Sequence, residues 1–210
     1  MTQNSVLRQK AREQLGGNIF AKHWLMVLLA IFIYSAIASL AGSIGLGIAA
    51  IIVTGPLTFG LMKILVKRSR GQGEVEIGDL FTGFTYCFGE SLLLSLLTAI
   101  FTALWSLLFV IPGIIKSYAY SMAPYILQDD LAKSWKTCLD ESQAMMKGYK
   151  WKLFCLDLSF IGWYFVGALC FGIGALFVYP YHYMARTNFY LDIKGGESEF
   201  ADTFNPADFA

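Results

Sequence analysis

Five side chains carry groups that could bind a ligand in surroundings that are otherwise apolar. They are Lys116, Tyr118, Tyr120, Asp157 and Arg186. Polar groups inside a membrane are costly, so those that a sequence places there are the first candidates for function. A lysine followed closely by two tyrosines has the donors that suit a lipid phosphate or a carboxylate. Asp157 is the one charge in the last long apolar run, and Arg186 ends that run.

Each of these side chains also has a simpler interpretation. Lys116 can extend its ammonium group to the membrane surface, as lysines near helix ends do. Asp157 can pair with a lysine at the cytoplasmic edge, or with Lys116 if the two segments cross. Arg186 lies among tyrosines that an aromatic belt at the membrane surface would explain. The sequence leaves these alternatives open.

Motifs for catalysis and metal binding are absent from the sequence. It contains no HExxH, Walker A or glycine-rich phosphate loop, and no paired nucleophile and base. The four cysteines form no CxxC pair, and His23 and His182 are the only histidines. The net charge is +1, which gives no argument for nucleic acid. We therefore expect no enzyme, no cofactor, no metal site and no nucleic-acid partner.

The composition predicts a lipid environment for the elements that position these groups. Hydrophobic residues make up 56% of the 210 residues, charged residues make up 15%, and the mean hydropathy is +0.55. Soluble domains carry about 25% charged residues. A cleaved secretory signal is an alternative for the first apolar run, but apolar sequence continues well past residue 41. We expect a retained membrane segment there.

Uncharged runs divide the chain into about six membrane segments. The run from His23 to Met62 is 40 residues long, which is about 60 Å as one helix and twice the thickness of the hydrocarbon core. Two spans must share it, with a turn at the glycines between 42 and 47. A second long run divides in the same way near Gly172. The predicted segments lie near residues 23–41, 46–66, 91–111, 113–127, 153–169 and 171–187, and some are short enough to be re-entrant.

Prolines are predicted to bend or end three of these segments. Pro56 lies inside the second segment, where it removes a backbone donor and leaves a carbonyl for neighbouring helices to cover. Pro180 is predicted to bend the sixth. Pro112 and Gly113 are predicted to break the helix and to send the short segment 113–127 back toward the cytoplasm. We assign these four residues structural roles.

Basic residues predict the orientation of the segments. With six segments, 15 of the 16 lysines and arginines fall on one side, and Lys116 is the exception. This predicts a multi-pass protein of the cell membrane with both termini in the cytoplasm. An amphipathic helix is expected near 131–147, and residues 5–15 form either another or a frayed tail. Residues 1–191 thus form one all-α membrane domain, and the acidic tail 192–210 is expected to be disordered.

Motifs spread along the chain resemble those of one known family. They are GPLTFG at 55–60, DLFTGF at 79–84, IPGIIKSYAYSMAPYIL at 111–127, LSFIGW at 158–163 and PYHYMARTNFY at 180–190. Together they resemble the DUF975 family of bacterial integral membrane proteins, over nearly the whole chain except the acidic tail. A more distant similarity is to the membrane domain attached to some glycerophosphodiester phosphodiesterases, without the catalytic domain. The resemblance implies a helical membrane fold and brings no activity with it.

Two hypotheses of different classes follow for the function. The first is a non-catalytic membrane module that binds membrane lipids or partner proteins, alone or as a homo-oligomer. The alternative is a small transporter or permease subunit that uses the broken helix at Pro112–Gly113. A membrane-embedded enzyme ranks third because no catalytic motif is present.

Overall fold

The chain folds into helices and turns throughout the part that the structure describes. The computed structural model describes residues 3–17, 21–43, 47–72, 75–108, 110–169 and 173–203, and no strand occurs among them. The elements in chain order are α1 (Asn4–Gln14), α2 (Lys22–Ser43), α3 (Gly47–Ser69), a 3₁₀ helix (Ile77–Phe81), α4 (Thr82–Tyr86), α5 (Phe88–Leu108), α6 (Val110–Tyr120), α7 (Ala123–Asp129), α8 (Trp135–Met145), α9 (Lys150–Leu169) and α10 (Ile173–Thr203). The prediction of an all-α fold is confirmed.

Three pairs of long helices form antiparallel hairpins. In the α5–α6 pair, Gly113 packs against Ser106 near the turn, and farther from it the ring centroids of Phe101 and Tyr120 lie 6.4 Å apart. Residues later in α6 thus contact residues earlier in α5, which identifies an antiparallel pair. The α2–α3 and α9–α10 pairs are built in the same way. The α2–α3 and α9–α10 hairpins return the chain to the end from which they started, whereas the shorter α6 ends beside Phe101 in the second half of α5.

The helix break predicted at Pro112–Gly113 lies elsewhere in the structure. α6 begins at Val110 and continues through both residues to Tyr120. Pro112 stands in the first turn of α6, where its missing N–H has no helical bond to lose. A Cβ on Gly113 would lie 2.2 Å from Oγ of Ser106, so the close approach of α5 requires glycine here. The prediction of a break at these two residues is wrong, because the turn precedes them.

The fourth predicted segment, 113–127, is divided between two helices. α6 and α7 are separated by a turn at residues 121–122. Ser142 of α8 stabilises this turn, because its hydroxyl donates to the carbonyl of Ala119 (2.7 Å) and accepts from the N–H of Met122 (3.2 Å). The serine is fully buried. A side chain from a later helix therefore stabilises a bend between α6 and α7 that the local sequence does not predict.

The other two prolines lie inside helices. Pro56 is near the middle of α3, and Pro180 is in the first third of α10. One turn before Pro180, the carbonyl of Phe177 accepts from the indole N–H of Trp24 at 3.2 Å. α2 thus supplies a hydrogen-bond donor in the part of α10 where proline removes one.

Two glycine-containing motifs hold α3 against the 3₁₀ helix and α4. A Cβ on Gly60, the last residue of GPLTFG, would lie 1.9 Å from the backbone oxygen of Leu80 in DLFTGF. A Cβ on Gly83 of DLFTGF would lie 2.1 Å from the backbone oxygen of Pro56 in GPLTFG. Each motif supplies the glycine against which the backbone of the other motif packs. The two motifs are therefore one structural unit.

Asp79 strengthens the same contact with ion pairs. Its carboxylate lies 2.9 Å from Nζ of Lys63 and 3.2 Å from Nζ of Lys67, both on α3. Burial raises the pKa of Asp79, but the hydrogen bonds and charges of the two lysines outweigh burial and hold that pKa below its usual value. The 3₁₀ helix is thus tied to α3 by charge as well as by packing.

Both amphipathic helices pack with their apolar faces against the rest of the protein. α1 buries Leu7 and Ala11, chiefly against α10. α8 buries Leu139 among other residues and begins at Trp135, later than predicted. Glu90 of α5 accepts from the backbone N–H of Trp135 at 2.7 Å, and a carboxylate at a helix N-terminus is favourable. These contacts make α1 and α8 part of the fold.

The last helix extends beyond the predicted sixth segment. α10 runs from Ile173 to Thr203, so the stretch 192–203 is helical where disorder was expected. That part of the prediction is wrong. Residues 204–210 of the predicted tail lie outside the described residues.

Asp129, at the end of α7, joins three helices. Its carboxylate accepts from Arg70, just after α3, at 2.7 and 2.9 Å, and from the hydroxyl of Tyr190 of α10 at 2.7 Å, and it pairs with Lys194. The Asp129 side chain is only 7% exposed. Burial raises its pKa, but hydrogen bonds from Lys194 and Tyr190 and the charges of Lys194 and Arg70 lower it overall. The ionised carboxylate therefore stabilises the folded state.

Two helices in the described part of the chain are long and apolar enough to cross a membrane. They are Lys22–Gly42, with a mean hydropathy of 2.3, and Phe88–Leu107, with a mean hydropathy of 1.6. Only 22% of the most apolar stretch of the first helix and 11% of that of the second are buried within the protein. Core helices of soluble proteins are mostly buried, whereas large exposed apolar surfaces are typical of membrane contact. The finer division into six membrane segments stays a prediction.

We predict that Gly60→Ala and Gly83→Ala each destabilise the protein by at least about 2 kcal/mol, because the methyl group would overlap backbone atoms. The matched control is Gly162→Ala in α9, where the added methyl group meets no atom within 4 Å in the described part of the chain, apart from its own helix backbone and adjacent residues. That variant should be neutral or up to about 1 kcal/mol more stable. Thermal unfolding of the purified protein in detergent measures all three. A melting temperature of Gly60→Ala equal to that of the wild type would contradict the proposed packing.

We predict that Asp129→Asn destabilises the protein at neutral pH by about 1.5–3 kcal/mol, the size of a charge-assisted hydrogen bond. The pKa of Asp129 is lowered by folding, so its contribution is complete above the unfolded value of about 4 and disappears as the pH falls below it. Thermal unfolding between pH 3 and 7 should therefore show the wild type and the variant converging in acid. Asp130→Asn is the control, since Asp130 is exposed. A constant difference across this range would rule out the assigned titration.

Candidate functional site

Asp157 of α9 is the centre of a hydrogen-bonded cluster that joins three helices. Arg186 of α10 pairs with it side-on, with Nε 3.0 Å from Oδ1 and Nη2 2.7 Å from Oδ2. Nε2 of His182 lies 2.8 Å from Oδ1, and the hydroxyl of Tyr118 of α6 donates to Oδ2 at 3.0 Å. Tyr164 lies on the other side of the imidazole, with its hydroxyl 3.0 Å from Nδ1. We call these five residues the Asp157 cluster.

Helical spacing explains why these side chains meet. Asp157 and Tyr164 are seven residues apart on α9, which places them two turns apart on one face. His182 and Arg186 are four residues apart on α10 and also share a face. Because α9 and α10 form an antiparallel hairpin, the two faces oppose each other. Tyr118 of α6 closes the third side.

The carboxylate determines where the protons of the cluster lie. An ionised carboxylate only accepts hydrogen bonds, so Nε2 of His182 carries a proton directed at Asp157. In the tautomer that carries only this proton, Nδ1 accepts from the hydroxyl of Tyr164. Asp157 accepts four hydrogen bonds in total, two at each oxygen, which uses the acceptor sites of a carboxylate. In the described part of the chain no three His, Cys, Asp or Glu side chains are grouped as metal ligands.

Two cavities have Tyr164, His182 and Arg186 in common among the residues that line them. The larger has a volume of about 270 Å³ and lies on the side of Asp157. Leu158 and Ile161 line it too, and they are 51% and 56% exposed. The larger cavity therefore opens sideways between exposed apolar side chains.

The smaller cavity has a volume of about 230 Å³ and a different chemistry. It is lined by Tyr164, Tyr179, His182, Tyr183 and Arg186. No carboxylate is among these residues. Nη1 of Arg186 and the hydroxyls of Tyr179 and Tyr183 have no hydrogen-bond partner in the described part of the chain. The unused polar groups at this cavity are therefore two hydroxyls, which can donate or accept, and a positively charged guanidinium N–H group, which only donates.

An apolar groove of about 170 Å³ between α6 and α9 adjoins the larger cavity. The groove is lined by Ile111, Ile114, Ile115, Tyr118, Lys150, Trp151 and Phe154. Tyr118 and Phe154 belong to both spaces. Ile111 and Trp151 are 71% and 73% exposed at the other end. Tyr118 is the α6 residue in direct contact with α9 here, through Phe154 and Asp157.

Lys116 and Tyr120 lie outside the Asp157 cluster. Nζ of Lys116 donates to Oε1 of Gln143 on α8 at 3.0 Å. It also lies 5.3 Å from the ring centroid of Trp105 and 5.8 Å from that of Tyr120, which are cation–π distances. The ammonium group is therefore engaged within the protein. Its role in the structure is to connect α6 with α5 and α8.

The structure brings together three of the five candidate residues, Tyr118, Asp157 and Arg186. The expected pairing of Asp157 with a lysine is wrong, because the α9–α10 hairpin places Arg186 opposite it instead. Sequence reasoning missed His182 and Tyr164. His182 is four residues from Arg186, and Tyr164 is seven residues from Asp157, so each shares a helix face with a predicted candidate. These spacings become informative only once it is known that α9 packs against α10.

A family comparison agrees with the motifs in the sequence. The model of the family described as "Protein of unknown function (DUF975)" matches residues 1–116 and 107–197. Comparisons with curated proteins and with solved structures gave no match. The more distant similarity to phosphodiesterase membrane domains stays a prediction. Since the two matches together cover nearly the whole sequence, the chain is a member of the DUF975 family.

Proposed function

We propose that this chain is a non-catalytic, multi-pass module of the cell membrane that binds membrane lipid through the space between α6, α9 and α10. The observation that carries the proposal is the junction of a polar cluster with an exposed apolar groove. Asp157, His182 and Arg186 line a cavity whose neighbouring groove is walled by isoleucines and tryptophan. A lipid has the same two parts, a polar headgroup and an apolar chain.

The exposure of the apolar residues supports lipid as the ligand. Ile111, Trp151 and Phe165 are more than 70% exposed, and Ile161 is 56% exposed. A soluble protein rarely exposes a contiguous surface of this kind to water. Charged side chains in lipid are paired or face a cavity, and the Asp157–Arg186 pair does both.

Six membrane segments with both termini in the cytoplasm form part of this proposal. The α2–α3 and α9–α10 hairpins return the chain to the side from which it started, and α6 followed by α7 does the same for α5, so the two termini share a side. The basic residues then favour the cytoplasm for that side. α6 has 11 residues, about 16 Å, which is too short to cross the hydrocarbon core. Because α6 is this short, we propose that the α5–α6 hairpin is inclined and re-entrant.

The transporter alternative loses its main support. It depended on a helix broken at Pro112 and Gly113, and α6 continues through both residues. Lys116, the charge that such a break would expose to a substrate, is held by Gln143 and two aromatic rings. No catalytic motif favours an enzyme.

The test of lipid binding compares two substitutions of exposed apolar residues. Ile115→Asn places an amide in the groove, whereas Leu107→Asn changes an 87% exposed residue that does not line it. We expect lipid retained through purification, measured by native mass spectrometry, to fall at least about fivefold in the first variant, since burying an amide without a partner costs 1 kcal/mol or more. The control should retain wild-type levels. Absence of bound lipid from the wild type, or equal retention by both variants, would refute the proposal.

A liposome flux assay on the same preparations separates the two function classes. The proposed module moves no solute, with or without Lys116→Ala. Flux through the wild-type protein that Lys116→Ala abolishes would instead establish the transporter alternative.

A further inference from the structure

We propose that the smaller, tyrosine-lined cavity binds the phosphate group of a phospholipid. Arg186 and the hydroxyls of Tyr179 and Tyr183 would donate to the phosphate oxygens, and the lipid chains would lie along the larger cavity and the adjoining groove. This inference deepens the proposed lipid-binding function and rests on it. It names the chemical class of the headgroup.

The first step of the argument is the state of the carboxylate. Asp157 accepts two hydrogen bonds at each oxygen, from Tyr118, His182 and Arg186. A ligand with an amine or hydroxyl donor would find no free acceptor on it. Asp157 therefore does not recognise the headgroup and instead holds Arg186 in place.

The second step concerns the donors that remain. Asp157 occupies Nε and Nη2 of Arg186, on one edge of the guanidinium plane. Nη1 has no hydrogen-bond partner in the described part of the chain, and Arg186 lines both cavities. Within the described part of the chain, the hydroxyls of Tyr179 and Tyr183 in the smaller cavity also lack hydrogen-bond partners. A ligand that fits these groups must offer several acceptor oxygens and negative charge, as a phosphate does.

The third step is continuity with the apolar surface. The smaller cavity shares Tyr164, His182 and Arg186 with the larger one, and the larger one shares Tyr118 and Phe154 with the groove. A free phosphate ion would use only the first of these spaces. A phospholipid uses all three, which favours lipid as the source of the phosphate.

The binding test uses the full chain in detergent with four competitors of a fluorescent phosphatidylglycerol. They are unlabelled phosphatidylglycerol, diacylglycerol with the same chains, glycerol phosphate and inorganic phosphate. We expect the phospholipid to compete at least about tenfold better than diacylglycerol, since a charge-assisted hydrogen bond is worth that factor. The two soluble phosphates should compete weakly. Equal competition by diacylglycerol would overturn the phosphate site, and equal competition by inorganic phosphate would overturn lipid as its source.

Three variants locate the site. The double substitution Asp157→Asn with Arg186→Gln removes the cation without leaving a buried carboxylate unpaired, and it should lower phosphatidylglycerol affinity about tenfold or more. Asp157→Asn alone keeps the guanidinium but removes the group that holds it, so it should lower phosphatidylglycerol affinity by less than the double substitution does. Tyr183→Phe should cost about two- to tenfold. Tyr86→Phe, an exposed tyrosine elsewhere, is the matched control.

The outcomes distinguish this site from a purely structural ion pair. If Tyr183→Phe and the double variant lowered affinity for diacylglycerol as much as for phosphatidylglycerol, the pair would be structural and the site would be refuted. Unchanged affinity in folded Tyr183→Phe and in the double variant would also refute it. If the double variant does not fold, Tyr183→Phe still tests the site, because it removes only one hydroxyl group. A wild-type protein that binds no lipid refutes the proposed function itself, whereas lipid binding without preference for phosphate refutes only this inference.

Discussion

The carboxylate of Asp157 is the interaction on which the arrangement of α6, α9 and α10 depends. It accepts hydrogen bonds from both of the other helices and pairs side-on with a guanidinium group. Its side chain is 17% exposed, so much of its hydration is lost on folding. Removing one partner of such a pair typically costs about 3–5 kcal/mol, because the other charge stays buried. The cluster therefore fixes the positions of the helix faces that form the two cavities.

Close backbone packing is the second constraint, and it explains several motif glycines. Gly60 and Gly83 each face backbone atoms that leave no room for a side chain, and Gly113 does the same toward Ser106. Small residues at these positions let the backbones of neighbouring elements approach closely enough for van der Waals contact. The motif prolines fit the same scheme, because the backbone of Pro56 is one of the packed surfaces.

The sequence is sufficient to predict the helices but not their partners. Uncharged runs and glycine-rich turns lead to helices close to those observed, because length and hydropathy are local properties. The bend between α6 and α7 is not predictable in this way, since Ser142 from α8 stabilises it. Pro112 misled the prediction because proline in a first helical turn starts a helix as readily as it ends one. Disorder was expected after residue 192 from charge alone, but Lys194 is held by Asp129.

The candidate site was predictable only in part for the same reason. Asp157 and Arg186 stand out as charges in apolar sequence, and each was a candidate on its own. Their pairing depends on the α9–α10 hairpin, and the role of His182 depends on that pairing. Lys116 was an equally clear candidate, but its ammonium group donates to Gln143. No local sequence pattern indicates this hydrogen bond. Polarity thus identifies candidates, and tertiary contacts decide among them.

The central claim is that the space beside Asp157 faces lipid, and the depth of Ile161 tests it most directly. A spin label at Ile161→Cys, in a variant without the native cysteines and reconstituted in lipid nanodiscs, reports collisions with oxygen and with a water-soluble nickel complex. A label at Lys10→Cys, an exposed residue of α1, serves as the aqueous reference. The account predicts high oxygen and low nickel accessibility at position 161. Nickel accessibility equal to that at position 10 would contradict it.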